Sequence, residues 1–192
     1  MKYLIVGLGN IGSEYADTRH NIGFMILDEL AKQEGAKFST MRLAYYTEVT
    51  HKGRMLHLIK PTTYMNLSGK AVSYWMKELK IPIENVLVVV DDIAIPLGAV
   101  KIKPKGSAAG HNGLKNIELL LGTSNYPRLK FGVSDNYPKG RQVDYVLSGF
   151  DEDELPELPA LIDRSIAMIK SFATIGVELT MTNYNSLKLP KG

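Results

Sequence analysis

The sequence predicts an α/β fold: a single domain, residues 1–192, with a mixed, mostly parallel, twisted sheet between layers of helices. Three observations carry that expectation. Stretches rich in β-branched and aromatic residues alternate with stretches of helical periodicity, as in layered α/β architectures. The run Val86-Leu87-Val88-Val89-Val90 is apolar at every position, as a strand must be when both faces of its sheet are covered. A chain of 192 residues with 45% hydrophobic and 22% charged side chains can bury one full core. No internal repeat, linker or low-complexity tract interrupts it.

In chain order, residues 3–6 open as a buried strand. They hand over to a glycine-punctuated loop, Gly7-Leu8-Gly9-Asn10-Ile11-Gly12, and then to a polar stretch holding Tyr15, Arg19, His20 and Asn21. Helical spacing starts at Ile22 and runs through Ile26, Leu27, Leu30 and Ala31, with Gly35 as the stop. Residues 43–50 alternate, Lys52-Gly53 makes a turn, and residues 55–59 return as the second strand of a hairpin. A loop over 60–69 leads into a helix marked by Ala71, Val72, Trp75, Met76 and Leu79 and closed by Pro82. The strand 86–90 ends in Asp91-Asp92. Residues 98–104 alternate again, with Lys101 and Lys103 on one face and Val100 and Ile102 on the other. The glycine-rich loop 106–113 opens a short helix over 114–121. Residues 128–133 and 143–147 read as two more strands. A last helix spans 158–173, with the acids 151–154 ahead of it.

Composition narrows the function classes. No apolar run approaches the roughly twenty residues of a membrane span. The opening MKYLIVGLGNIG is too brief and too glycine-rich for a signal peptide. With no cysteine, a thiol nucleophile, a disulfide framework and a thiolate metal site are excluded, and the cytoplasm is the expected location. Lys plus Arg number 23 against 20 Asp plus Glu, a net +3. The positive charge is concentrated, however, in Lys101, Lys103, Lys105, Lys115, Arg128, Lys130, Lys139 and Arg141. A locally basic face fits a polyanionic ligand, and solvated surface lysines are the plainer alternative.

The string GLGNIG fits G-x-G-x-x-G after a strand, the mark of a dinucleotide site. In that architecture the helix starts within the glycines, so that its N-terminus meets the pyrophosphate. Here the periodicity starts a dozen residues late, and Thr50-His51-Lys52 offers no acid for a ribose hydroxyl. No cofactor is expected. There is also no G-x-S-x-G elbow, and the four histidines, His20, His51, His57 and His111, lack metal-ligand spacing. What remains is a histidine with no nucleophile partner, an aspartate at the tip of a central strand, and asparagines in loops. This set suits hydrolysis by an activated water. A histidine is basic near neutral pH, a carboxylate fixes its tautomer, and asparagine amides can donate to a developing oxyanion. Each piece has a plainer role too: His20 as a packing residue, Asn66 and Asn112 as helix caps, Asp91 as a surface acid, Tyr15 and Tyr64 as core residues.

Together the loops resemble the bacterial peptidyl-tRNA hydrolase family. The segments that carry the likeness are 7–24 (GLGNIGSEYADTRHNIGF), 60–72 (KPTTYMNLSGKAV), 91–103, 110–122 (GHNGLKNIELLLG), 128–133, 144–150 and 181–185, which fall in family order over almost the whole chain. The resemblance implies a three-layer α/β/α domain that hydrolyses the ester between a peptide and the 3′-terminal ribose of tRNA. It implies His20 as the base, Asp91 as its holder, and Asn10 as a reader of the peptide. Met65 and Asn66 would line the site, and Tyr15, Tyr64, Asn66 and Asn112 would contact the tRNA 3′ end or the peptide. Lys103 and Lys130 would clamp the 5′-phosphate of the acceptor stem. A monomer with no metal, no membrane contact and no obligate protein partner is expected. Ile11, Ala94, Ser107-Ala108-Ala109 and Lys130 depart from the family pattern, which usually has proline, an acid, more glycine and arginine at those places. The rival from another class is a catalytically silent relative that only binds structured RNA.

Overall fold

The computed structural model describes residues 1–186. Its elements are β1 (Lys2–Gly7), α1 (Ile22–Gln33), β2 (Ser39–Met41), β3 (Ala44–His51), β4 (Arg54–Pro61), α2 (Ser68–Leu79), β5 (Val86–Asp92), β6 (Val100–Lys103), α3 (Asn112–Leu121), β7 (Arg128–Gly132), α4 (Gln142–Val146) and α5 (Leu158–Tyr184). The seven strands form one mixed sheet in the order β2-β3-β4-β1-β5-β7-β6. Its centre, β4, β1, β5 and β7, is parallel. Antiparallel pairs finish both edges, β2 with β3 and β3 with β4 on one side, β6 with β7 on the other.

The alternation of side chains along β5 builds the layers. Leu87 and Val89 pack with Ile22, Ile26, Leu27 and Leu30 of α1 and with Leu161, Ile166, Ile169 and Phe172 of α5. Val86, Val88 and Val90 pack on the opposite face with Ala71, Val72 and Trp75 of α2 and Leu114 and Ile117 of α3. The five apolar residues of β5, Val86 to Val90, are at most 1% exposed, and each such side chain contributes about 1.5–3 kcal/mol by its removal from water. The fold is therefore the expected α/β/α sandwich. No helix among the described residues is long and apolar enough to cross a membrane.

Helix α1 approaches the sheet very closely. A Cβ on Gly23 would lie 2.5–2.6 Å from backbone atoms of Leu8 and Val89, and one on Gly7 would strike the Gly23 carbonyl. The first glycine of GLGNIG thus serves helix–strand contact, and α1 starts only at Ile22, too late for a pyrophosphate seat.

Several expected boundaries move. The strand expected over 143–147 is instead the short helix α4. Consecutive Tyr145 and Val146 are both buried while Val143 is 64% exposed, a pattern no one-sided strand gives. Tyr145 is drawn in by its hydroxyl, which donates to the Val133 carbonyl at 2.6 Å. Strand β2 has no exposed–buried alternation to betray it. The last helix passes 173 and reaches Tyr184, interrupted at Gly176 (φ 87, ψ 172). Helix α3 begins at Asn112, with His111 as its cap.

Candidate active site

The parallel strands β4, β1 and β5 all end on one edge of the sheet. From there β1 leads to α1 on one face, while its neighbour β4 leads to α2 on the other. Chains that part in this way open a crevice at the strands' carboxyl ends. A cleft of about 270 Å³ lies there, lined by Asn10, His20, Met65, Asn66, Asp91, His111, Asn112, Lys130 and the 142–147 segment among others.

Asp91, in the last turn of pleat of β5, is 3% exposed at its side chain and is held between two imidazoles. His20 sits in a one-turn helix, Arg19–Asn21, directly before α1. Its Nδ1 lies 2.8 and 3.0 Å from the Asp91 carboxylate oxygens. His111 Nε2 lies 2.9 Å from Oδ1 of the same carboxylate. The tautomer of His111 follows from its other side: Nδ1 accepts from the backbone N–H groups of Gly113 and Leu114, so the proton is on Nε2 and is donated to Asp91. His20 likewise donates from Nδ1, which leaves its Nε2 lone pair for the cleft, where the side chain is 11% exposed.

Electrostatics agree with that arrangement. Burial alone would raise the Asp91 carboxyl, but the two imidazoles outweigh it and hold the group far below the usual carboxylate range. Burial pulls the His20 imidazole down, and the charge and hydrogen bond of Asp91 overcome this and raise it above 6.5. His20 is therefore a stronger base than a free histidine.

Asn10 is fixed from two directions. Its backbone N–H donates to Asn21 Oδ1 and its carbonyl accepts from Asn21 Nδ2, both at 2.8 Å. Its own Oδ1 accepts from the Met65 N–H at 2.7 Å. With that oxygen committed, the amide –NH₂ is the end Asn10 can offer to a ligand. Asn66 and Asn112 are exposed on the cleft rim, and the capping role open to Asn112 belongs to His111. Lys130 lies in the cleft wall with its Nζ 3.3 Å from Asp92 Oδ2.

Of the ten residues expected at the site, Asn10, His20, Met65, Asn66, Asp91, Asn112 and Lys130 line one cleft. Tyr15, Tyr64 and Lys103 lie outside its lining. Tyr15 ends the one-turn helix Ser13–Tyr15, Tyr64 is 51% exposed beside Met65, and Lys103 is exposed on the edge strand β6. Reasoning from sequence left out His111, Asn21 and Asp92. Each stood inside a string that drew notice, T-R-H-N for Asn21, Asp91-Asp92 for Asp92 and GHNG for His111, without a part in the site being given to it.

His20, Asp91 and His111 are also the one set among the described residues whose donor atoms, within 4.8 Å of one another, could hold a metal ion. The three side chains are already joined to one another by the two ring–carboxylate bonds.

Comparison with known proteins gives a consistent picture. A model of the family described as peptidyl-tRNA hydrolase matches residues 4–191. The chain is 56% identical over 188 residues to a peptidyl-tRNA hydrolase of Cytophaga hutchinsonii, covering 98% of this chain and 100% of the relative. It is 50% identical over 185 residues to one from Bacteroides fragilis, covering 96% and 99%. A crystal structure of peptidyl-tRNA hydrolase from Acinetobacter baumannii superposes with a TM-score of 0.91 at 32% identity, over 97% of this chain and 95% of that one.

Proposed function

The chain belongs to the peptidyl-tRNA hydrolase family, and from that premise we propose how its residues divide the hydrolysis of peptidyl-tRNA. His20 Nε2 takes a proton from a water molecule in the cleft as the oxygen attacks the ester carbonyl that joins peptide to the 3′-terminal ribose. The negative charge that develops on the carbonyl oxygen meets the amide of Asn10, with Asn66 and Asn112 at the rim as further donors. Collapse breaks the bond to the ribose oxygen, which recovers the proton from the His20 imidazolium. The peptide leaves as a carboxylate and the tRNA with a free 3′ end.

One observation supports this division above the others: Asp91 holds Nδ1 of His20 at 2.8 Å, so that the opposite nitrogen is presented unprotonated to the cleft. General-base help of this kind contributes about 10²–10⁴ in rate, which is adequate for an activated ester. Lys103 and Lys130 are the proposed 5′-phosphate contacts. Tyr15 and Tyr64, from outside the lining, contact the tRNA end. We place the reaction in a cytoplasmic monomer working without a cofactor.

Hydrolysis of an N-blocked aminoacyl-tRNA by wild type and by His20→Ala is the test. Release by wild type alone is expected. Equal release by both removes the role given to His20, and release by neither favours a silent RNA-binding protein. For the clamp, part of the Lys130 charge is spent on Asp92, whereas Lys103 is exposed on β6. Lys103→Ala should therefore raise KM more than Lys130→Ala, and both increases should vanish on a substrate lacking the 5′-phosphate.

A further inference from the structure

Arg19 stands next to His20 in the chain, yet its side chain is 2% exposed and is not part of the cleft lining. Its contacts fall on one segment, residues 145–154. The backbone N–H of Arg19 donates to the Ser148 carbonyl at 3.0 Å. Nη1 donates to the Tyr145 carbonyl at 3.1 Å and to Ser148 Oγ. Nη2 donates to Glu154 Oε1 at 2.9 Å, with Asp151 Oδ1 at 3.4 Å. The guanidinium lies 3.9 Å above the centre of the Tyr145 ring. Beside it, Thr18 forms a single antiparallel bridge with Gly149.

Such a residue is an expensive way to stabilise a fold. A buried ion pair loses in desolvation much of what it gains by attraction, and Arg19 Nε is buried without a hydrogen bond. What the arrangement supplies is a fixed geometry. The segment that grips Arg19 also furnishes a wall of the cleft through Val146 and Leu147, continued by Gln142 and Val143 just ahead of it. Glu154, which receives Nη2, closes its own turn by accepting from the Asp151 N–H at 2.8 Å, so the anchor is itself braced.

We propose that Arg19 is a positioning residue: through Glu154, Ser148 and Tyr145 it locks the turn that carries His20 to the 142–154 segment, and so sets the imidazole on Asp91. This rests on His20 being the base. Loosening the lock lets the ring wander by fractions of an ångström, and misplacement of about 1 Å can cost about 10² in rate.

The test compares Glu154→Ala, Glu154→Gln, His20→Ala and Lys170→Ala in steady-state hydrolysis of an N-blocked aminoacyl-tRNA, at a temperature where circular dichroism shows each protein folded. Lys170→Ala cuts the ion pair to Glu34, far from Arg19, and controls for destabilisation alone. Glu154→Ala should lower kcat about tenfold with KM changed less than about threefold. Glu154→Gln, which keeps an acceptor oxygen for Nη2, should recover most of that loss, and Lys170→Ala should match wild type. Should Glu154→Ala not fold, Arg19→Lys replaces it, since lysine keeps the charge but cannot fork between three acceptors. Wild-type kcat in the folded Glu154→Ala or Arg19→Lys protein, or a loss that Lys170→Ala shares, overturns the proposal while leaving His20 as base. Wild-type kcat in His20→Ala overturns both.

Discussion

Two buried histidines, His20 and His57, have opposite properties, and the contrast isolates what makes an imidazole a base. His57, on β4, is as well covered as His20, with a side chain 8% exposed against 11%. Its Nδ1 is 2.6 Å from the hydroxyl of Tyr46, which donates in turn to Glu48. The nearest carboxylate, Glu48, is 3.6 Å away and 52% exposed. Burial therefore dominates and His57 is held below 6.5, with Glu48 pulling weakly the other way and Lys2 adding to the depression. At His20 the carboxylate is itself buried and in direct contact, and the sign reverses. Burial alone silences a histidine; burial beside a captive carboxylate arms it, provided one ring nitrogen still faces an opening.

The contrast can be broken most forcefully by deleting each ring in turn. His20→Ala should lower kcat by about 10²–10⁴, while His57→Leu, which leaves Tyr46 its bond to Glu48, should stay within about twofold of wild type in the same assay. Exchanging the carboxylate comes next. Asn at 91 can accept from one imidazole but must point its –NH₂ at the other, so Asp91→Asn should cost about 10² or more in kcat and lower the thermal midpoint as well. Third, kcat/KM should rise with pH through a single ionisation lying above 6.5, the raised value of His20, and a pH–rate profile with its limb below 6.5 would contradict the geometry.

The smallest effect sharpens the contrast through stability. The folded His57 ring binds its proton less readily than the unfolded one, so falling pH below about 6.5 favours unfolding. His20 works oppositely: its contribution is complete below the unfolded value and is lost as pH rises through the raised folded one. Asp91 contributes above the unfolded carboxyl value, near 3.8, and this is lost as acid titrates the folded group. Denaturant midpoints of His57→Leu, compared with wild type at about pH 7.5 and about pH 5.5, should therefore shift in favour of the variant on acidification.

Much of this was written plainly in the chain. Five apolar residues ending in two aspartates announce a central strand with an acid at its tip, and a polar loop after the first strand announces the histidine that meets it. Other features were settled by contacts between residues far apart in sequence. Val143 to Leu147 is too short to display a helical period, and it is a helix because Tyr145 must reach Val133 and Arg19. His111 takes the cap position that Ser, Thr, Asp or Asn usually hold, which directed attention to Asn112 beside it. Arg19 is visible in T-R-H-N, but its partners lie 126 to 135 residues further on, and no local pattern points to them.

The meeting of Gly7 with Gly23 has an evolutionary corollary. Both positions lie within three residues of a side chain that lines the cleft, Asn10 on one side and His20 on the other, and neither leaves room for a methyl. Adaptive drift at this seam is closed: an alanine there must shove the helix outward and drag the neighbouring turn with it. A randomised library selected for turnover should return glycine at both places, even though neither glycine is among the residues that line the cleft.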